Sequence, residues 1–229
     1  MISAILLGAG SGFRFGGPLS KQFIRVGGRS ILEHSANALF CSSLVDSFVY
    51  VAKSGEETAL DSFFDSLSLD YCVATGGVER AHSVLNGLKA CRTDTDFVLI
   101  HDGVRPNLSP NLVVKLIRDA QKLCVGIVPV VPVVDTLKRF DGEFITSTVN
   151  REELVQVQTP QVYPYKMILD AYERGLREGF TGTDDAAYAF RCGIPVKAIQ
   201  GNSSNLKITS PEDLDLFRYY LSPMENEDS

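Results

Sequence analysis

The amino-terminal segment combines glycines and basic side chains in a pattern that could bind phosphate groups. An apolar run at residues 4–7 has no polar face, which is typical of a buried parallel strand, and it stops at a glycine. The turn that follows contains Gly8, Ala9, Gly10 and Gly12, and Arg14 and Lys21 come soon after it. Glycine allows positive φ angles and close backbone approach, so consecutive N–H groups can converge on an anion. We therefore predict that the turn and both cations share one polyanionic ligand.

Two familiar phosphate-binding motifs do not fit this segment. A dinucleotide fingerprint needs a third glycine where Phe13 stands, and an acid near the end of the second strand, where residues 51–53 are Val-Ala-Lys. A Walker motif fails because Lys21 follows Ser20 and precedes Gln22. A glycine-rich surface turn with two solvated cations stays open as the alternative on this stretch alone.

Further polar residues follow two later strands. Gly77 and Ser83 lie between a predicted strand at 70–74 and a helix through Cys91. Ligands of open α/β sheets bind at the carboxyl ends of the strands, so these two residues could meet a nucleotide base or ribose. A plain strand-to-helix turn explains them equally well.

Asp102 follows the most apolar strand, at residues 97–100. A carboxylate on the same edge as the glycine turn is well placed to hold Mg²⁺ and so to bridge phosphate oxygens. An Asp before Gly also commonly caps a turn. The shared edge favours the metal.

The order of strands and helices indicates an α/β fold, with a mostly parallel sheet flanked by helices on both faces. We expect residues 1–229 to form a single domain. Further expectations are a helix at 56–66, and a strand at 126–134 that lies at an edge or leaves the sheet because it contains two prolines. Thr183 is expected to cap a helix at 184–191.

A protruding β-arm is predicted at about residues 132–159. Residues 135–139 and 144–149 flank the turn Asp141-Gly142, a hairpin signal. A two-stranded arm is only marginally stable alone, so we expect it to pack on another subunit, in a twofold homodimer with exchanged arms.

Composition excludes several classes of function. A net charge of −6 and a pI of about 5.1 argue against a nucleic-acid partner or an anionic membrane surface. No apolar run is long enough to cross a bilayer, and we expect a cytosolic protein. The five cysteines and three histidines show no metal-ligand or hydrolase spacing, and the cysteines are expected to be buried free thiols.

With these pieces assembled, the whole chain resembles the 2-C-methyl-D-erythritol 4-phosphate cytidylyltransferase family of the non-mevalonate isoprenoid pathway. The matching motifs are LLGAGSGFRFGGPLSKQF (6–23), ILEHS (31–35), GGVERAHSVLNGL (76–88), LIHDGVRP (99–106), DTLK (135–138), VNREEL (149–154), QTPQ (158–161), TDDA (183–186) and NLKITSPEDL (205–214). The set is specific, whereas each motif alone is weak.

The resemblance implies a Rossmann-like nucleotidyltransferase fold and attack of a sugar-alcohol phosphate oxygen on the α-phosphorus of CTP, releasing pyrophosphate. Such a reaction needs positioning and charge neutralisation more than a base. By family resemblance Arg14 and Lys21 are catalytic, and Mg²⁺ or another divalent cation is held by Asp102. Nucleotide-binding positions would be Gly8, Ala9, Gly10, Gly12, Gly77, Ser83, Asp102 and Lys207. Acceptor-binding positions would be Arg105, Thr136, Arg151 and Thr183, with Thr136 and Arg151 supplied by the partner's arm.

Three differences from the family pattern stand at Val78, at Gly103-Val104 and at Asn150. If the first two sites act through backbone groups, neither should change the chemistry, and Asn150 should have only a small effect on dimer packing.

Three other functions stay open at this point. A related cytidylyltransferase would use ribitol 5-phosphate, and a uridylyl- or guanylyltransferase would use sugar 1-phosphates. A nucleotide-binding regulatory module without turnover is the third.

Overall fold

The computed structural model describes residues 1–10, 20–67 and 69–222 of the 229-residue chain. The strands are β1 (Ile2–Leu7), β2 (Arg25–Val26), β3 (Arg29–Ser30), β4 (Ser47–Ala52), β5 (Tyr71–Thr75), β6 (Phe97–Asp102), β7 (Gly126–Pro132), β8 (Lys138–Phe140), β9 (Ile145–Thr148), β10 (Val155–Val157), β11 (Gln161–Pro164) and β12 (Val196–Gln200). The α-helices are α1 (Ile31–Phe40), α2 (Asp61–Leu67), α3 (Arg80–Ala90), α4 (Pro110–Leu123), α5 (Tyr165–Arg177), α6 (Asp185–Arg191) and α7 (Pro211–Leu221). Within these described ranges, no helix is both long and apolar enough to cross a membrane.

A mostly parallel sheet organises the molecule. β5, β4, β1 and β6 pair in that order and run parallel, and β12 pairs parallel with β7. β11 is antiparallel and lies between β6 and β7. The carboxyl ends of β1, β5 and β6 therefore meet at one edge, as the sequence predicted. The α/β fold class is confirmed.

Two apolar cores cover the two faces of the sheet. Helices α1, α2 and α4 pack on one face, where Leu39, Phe64 and Leu116 are fully buried or nearly so. Helices α3, α5 and α6 cover the other face, through side chains such as Leu88 and Tyr172. Burying both faces explains why the central strands are apolar without alternation.

Helix starts follow the local sequence. A capping box begins α1: the Ser30 hydroxyl accepts from the Glu33 N–H at 3.1 Å, and the Glu33 carboxylate accepts from the Ser30 N–H. The predicted cap of α6 is one residue off, since Asp184 rather than Thr183 accepts from the Ala187 N–H, at 3.0 Å.

Three further expectations were wrong in detail. β7 is neither an edge strand nor a strand leaving the sheet at Pro129: it pairs on both sides, and the Pro129 carbonyl accepts from the Gln158 N–H at 2.9 Å. A proline loses its donor but keeps its acceptor, so an interior position remains usable. The helix expected at 56–66 begins only at Asp61. The five cysteines are free, but Cys91 is the one that is buried; the others are exposed or partly exposed.

The hairpin β8–β9 forms as predicted, with Gly142 at a φ of +110° and Asp141 accepting from two backbone N–H groups at its turn. Its apolar side chains Phe140, Phe144 and Ile145 are each more than 60% exposed in the single chain. The single domain at residues 1–229 and the dimerising role of the arm stay predictions.

Candidate active site

A cleft of about 390 Å³ opens at the carboxyl edge of the sheet, over β1, β5 and β6. Residues from five separate segments of the chain line it. Those predicted from the sequence are Gly8, Ala9, Gly10, Lys21, Gly77, Ser83, Asp102 and Lys207. Gly12 and Arg14, also predicted, lie outside the described residues. The described residues that the sequence predicts to bind a nucleotide therefore lie together in one cleft.

The first glycine turn packs closely against β4 at the point where β1 ends. The Gly8 N–H donates to the Val51 carbonyl at 2.9 Å, and a Cβ at Gly8 would lie 2.6 Å from the Tyr50 ring. A larger residue would have to displace a fully buried tyrosine. No atom of the described residues lies within 4 Å of a Cβ built at Gly10. The turn thus needs glycine at its base, at Gly8.

Lys21 opens a short 3₁₀ turn, Lys21–Phe23, at the side of the cleft. Its Nζ donates to the Ile208 carbonyl at 2.7 Å. The Ile208 N–H in turn donates to the Val104 carbonyl at 2.9 Å, so the segment that carries Lys207 is fastened beside the end of β6. Two ammonium groups distant in sequence are thereby brought to one cleft.

The second glycine turn packs directly against the first. A Cβ at Gly76 would lie 2.3 Å from the Ala9 Cβ, and one at Gly77 would lie 2.2 Å from the His82 Cβ. The Ser83 hydroxyl accepts from the Gly77 N–H at 3.0 Å and so fixes the turn at the start of α3. Val78 projects from this rim and is 97% exposed. A side chain at Gly76 would clash with the first turn, and one at Gly77 would clash with the start of α3.

Asp102 lies at the centre of a cluster of cations. Its carboxylate is 2.8 Å from the Lys207 Nζ, 3.3 Å from the Arg80 Nε and 3.9 Å from the Arg105 Nε. Burial alone would raise the pKa of Asp102, but the charges of Arg80 and Lys207 outweigh it and hold that pKa well below its usual range. Asp102 is therefore ionised at any physiological pH.

Arg80 links this cluster to the protein interior, a role that the sequence did not reveal. Its guanidinium makes a bidentate pair with the fully buried Asp185 carboxylate, at 2.8 and 3.0 Å, and the Tyr172 hydroxyl donates to the same carboxylate at 2.5 Å. Burial would lower the pKa of Arg80, but Asp185 and Asp102 raise it well above its ordinary value. No local signal marked Asp185, because an acid in the first turn of a helix is common.

A metal ion fits this site only in part. No group of three or more His, Cys, Asp or Glu side chains that could hold one occurs in residues 1–10, 20–67 and 69–222. Mg²⁺ commonly binds through one or two carboxylates together with substrate phosphates and water, and the ionised Asp102 on the cleft wall is such a donor. The donor set is therefore compatible with a metal that arrives with phosphate. Asp102 as a metal ligand remains a prediction.

The predicted acceptor residues do not line the cleft in the described single chain. Arg105 lies closest, since it flanks Asp102 and donates to the Asn205 carbonyl at 2.8 Å. Thr136 and Arg151 belong to the arm, where the Arg151 guanidinium donates to the Val134 carbonyl. Thr183 precedes the cap of α6. Their role in binding an acceptor stays a prediction.

His101, which precedes Asp102 in β6, makes the free energy of unfolding depend on pH. It is fully buried between the Thr159 hydroxyl and the Arg105 carbonyl, and burial lowers its pKa from 6.5 to about 4, against the opposing charge of Asp102. Between pH 6.5 and pH 4, His101 therefore binds a proton in the unfolded chain but not in the folded chain. The stability that neutral His101 allows is complete above pH 6.5 and is lost as the pH falls towards 4.

From this we expect the free energy of unfolding to fall by about 2 kcal/mol more between pH 7 and pH 5 in the natural protein than in His101→Gln. Urea unfolding at both pH values measures this difference, with other titrating groups common to both proteins. Equal pH dependence in the two proteins would show that folding does not lower the pKa of His101.

Ligands of open α/β sheets, nucleotides among them, bind at this carboxyl edge, so the fold and the cleft define a nucleotide-binding α/β protein. Comparison with known proteins specifies the family. Residues 2–223 match the family described as 2-C-methyl-D-erythritol 4-phosphate cytidylyltransferase (IspD). The chain belongs to this family.

Individual relatives agree with that assignment. The enzyme of this name from Geobacillus thermodenitrificans is 38% identical over 213 residues, 92% of each chain. The one from Clostridioides difficile is 35% identical, across 100% of this chain and 96% of its own. The crystal structure of 4-diphosphocytidyl-2C-methyl-D-erythritol synthase from Anaerococcus prevotii superposes with a TM-score of 0.83 at 32% identity, covering 96% of this chain and 97% of that one.

Proposed function

We propose that this protein transfers the cytidylyl group of CTP to 2-C-methyl-D-erythritol 4-phosphate, giving 4-diphosphocytidyl-2-C-methyl-D-erythritol and pyrophosphate. The acceptor phosphate attacks the CTP α-phosphorus directly and in line. The observation that carries this proposal is the convergence of both glycine turns, Lys21 and the Asp102 cluster on one cleft, in a chain that belongs to the family. The family assignment supports the substrates, and the geometry supports where they bind.

The cleft contains the parts that such a reaction needs. The acceptor phosphate is already ionised, so the principal task is to hold the reacting groups in line and to neutralise the charge that collects on the phosphates. The backbone N–H groups around Gly10 and the ammonium of Lys21 would contact the triphosphate, together with Arg14 and Gly12. Lys207 would move its charge from Asp102 to the phosphates, and Gly77 and Ser83 would flank the base.

A divalent cation, if bound with CTP, would be held by Asp102 and would supply further neutralisation of the phosphate oxygens. The chain's own contribution is the fixed carboxylate. Arg80, which is anchored by Asp185, and the 42% exposed Lys207 both pair with this carboxylate and line the cleft.

The acceptor site would be completed by a second subunit. The exposed apolar side chains of the β8–β9 arm support a homodimer, because a lone hairpin has little stability. In such a dimer Thr136 and Arg151 of one subunit would meet Arg105 and Thr183 of the other around the acceptor phosphate. A cytoplasmic location fits the five free cysteines, which persist in reducing compartments.

We expect Arg151→Ala to raise the KM for the acceptor at least about tenfold with a small change in the KM for CTP, since a phosphate loses a charged partner. Steady-state assays with each substrate varied in turn measure this. Arg139→Ala, another exposed arm cation, is the matched control and should be near normal. An equal rise in both KM values would contradict the assignment.

The shared site has its own test. Mixing Arg151→Ala with Lys21→Ala protein should restore activity, because one of the two sites in each mixed dimer then has both residues intact. Failure to complement in dimers verified to be mixed would show that each site is built from one chain.

Substrate choice decides between this function and its alternatives. Pyrophosphate release should require CTP in preference to UTP or GTP, and 2-C-methyl-D-erythritol 4-phosphate in preference to ribitol 5-phosphate. Faster turnover with ribitol 5-phosphate, or with UTP or GTP and a sugar 1-phosphate, would replace the proposal.

A further inference from the structure

The loop between β4 and α2 does not line the cleft, but one of its side chains contacts the two neighbours of Lys21. Glu56 is half-buried in this loop. Its Oε1 accepts from the Ser20 hydroxyl at 3.1 Å, and its Oε2 accepts from the Gln22 side-chain amide at 3.3 Å. Ser20 and Gln22 are the two residues that flank Lys21. One carboxylate therefore binds the side chains on both sides of the lysine.

The Ser20 side chain bonds to Glu56 instead of capping its own turn. It occupies the N-cap position of the Lys21–Phe23 turn, where a serine hydroxyl normally accepts from a backbone N–H. Here the hydroxyl makes no capping hydrogen bond and donates to Glu56 instead. The turn that carries Lys21 is fastened from outside rather than by its own cap.

Gln22 extends the connection to the first glycine turn. Its side chain is almost completely buried, and the same amide nitrogen that contacts Glu56 donates to the Gly8 carbonyl at 2.9 Å. The end of β1 and the lysine segment are therefore tied to each other through Gln22. Glu56 fixes the orientation of that amide, because a carboxylate can only accept.

We propose that Glu56 is a positioning residue for the transfer reaction, holding Lys21 at its place in the cleft through Ser20 and Gln22. The inference rests on the proposed role of Lys21. Glu56 itself touches no reacting group in this account. A displacement of about 1 Å at a charge partner can cost on the order of a hundredfold in rate, so a residue outside the cleft can matter this much.

The test compares Glu56→Ala with Glu56→Gln and with Glu57→Ala. Glu56→Ala removes both contacts, and we expect kcat to fall at least about tenfold with less than about a threefold change in the KM for CTP. Glu56→Gln can keep both contacts, since its oxygen accepts from Gln22 and its amide can donate to the Ser20 oxygen; it should retain activity within about threefold. Glu57, the neighbouring acid, accepts instead from the Gly55 N–H, and Glu57→Ala should be near normal.

A double-mutant cycle separates positioning from general damage. If Glu56 acts through Lys21, adding Glu56→Ala to Lys21→Ala should lower the residual turnover by less than about twofold. A full additive loss would overturn the inference, as would normal kcat in Glu56→Ala or equal losses in Glu56→Gln and Glu56→Ala. Ser20→Ala, which removes one contact at a partly exposed site, should lower kcat by about threefold and serves if Glu56→Ala does not fold. Normal turnover of Lys21→Ala would refute the proposed catalytic role itself, a distinct outcome.

Discussion

Replacing Lys21 with alanine should lower kcat for cytidylyl transfer by at least about a hundredfold. The transition state concentrates negative charge on the α-phosphate and the departing pyrophosphate, and loss of one preorganised charge partner typically costs this much. The effect should fall mainly on kcat, because the glycine turns and Lys207 would still bind the nucleotide. Arg14→Ala should produce a loss of the same order.

The measurement is pyrophosphate release at saturating CTP and acceptor. Lys89→Ala provides the matched control, since Lys89 lies on the surface of α3 in an exposed ion pair with Glu173. That variant should keep turnover within about twofold. Near-normal turnover of Lys21→Ala would instead favour a regulatory nucleotide-binding module.

Removing Asp185 should have the largest effect on stability. Asp185→Ala leaves Arg80 without its bidentate partner and the buried Tyr172 hydroxyl without its acceptor. Breaking one side of a buried pair costs about 3–5 kcal/mol. Because the Arg80 side chain is 30% exposed and keeps its contact with Asp102, the lower end, about 3 kcal/mol, is expected.

Urea unfolding at pH 7 measures this cost directly. The control is Asp215→Ala, which breaks an exposed pair with Arg218 on α7 and should cost less than about 1 kcal/mol. A loss below about 1 kcal/mol for Asp185→Ala would mean that the interior accommodates an unpaired Arg80, and that Asp102 does not depend on this anchor.

The strand pattern and the glycines were enough to predict which residues form most of the proposed nucleotide site. Apolar runs that end in Gly8, Gly76 or Asp102 predict parallel strands whose carboxyl ends meet, and this rule alone brings Asp102 to the glycine turns. Lys207 follows no such rule. It was found through resemblance, and the structure explains its place by the hydrogen bond that fastens Ile208 to Val104.

The sequence could not reveal contacts between side chains on unrelated segments. Arg80 and Asp185 are 105 residues apart, and Glu56 is 34 residues from Gln22. No local periodicity encodes such pairs, since they depend on how helices and loops pack over the sheet. Local rules also failed where tertiary contacts competed with them. Pro129 lies inside the sheet because its carbonyl still pairs, and Ser20 gives up its capping role to contact Glu56.

We propose that the amino-terminal turn and Lys21 hold the CTP phosphates in the cleft above β1 and β6. A crystal structure of the protein with CTP and Mg²⁺ would locate the triphosphate. We expect phosphate oxygens within hydrogen-bonding distance of the backbone N–H groups around Gly10 and of the Lys21 ammonium, with the cytosine beside Gly77. Triphosphate density elsewhere on the protein, with this turn empty, would contradict it.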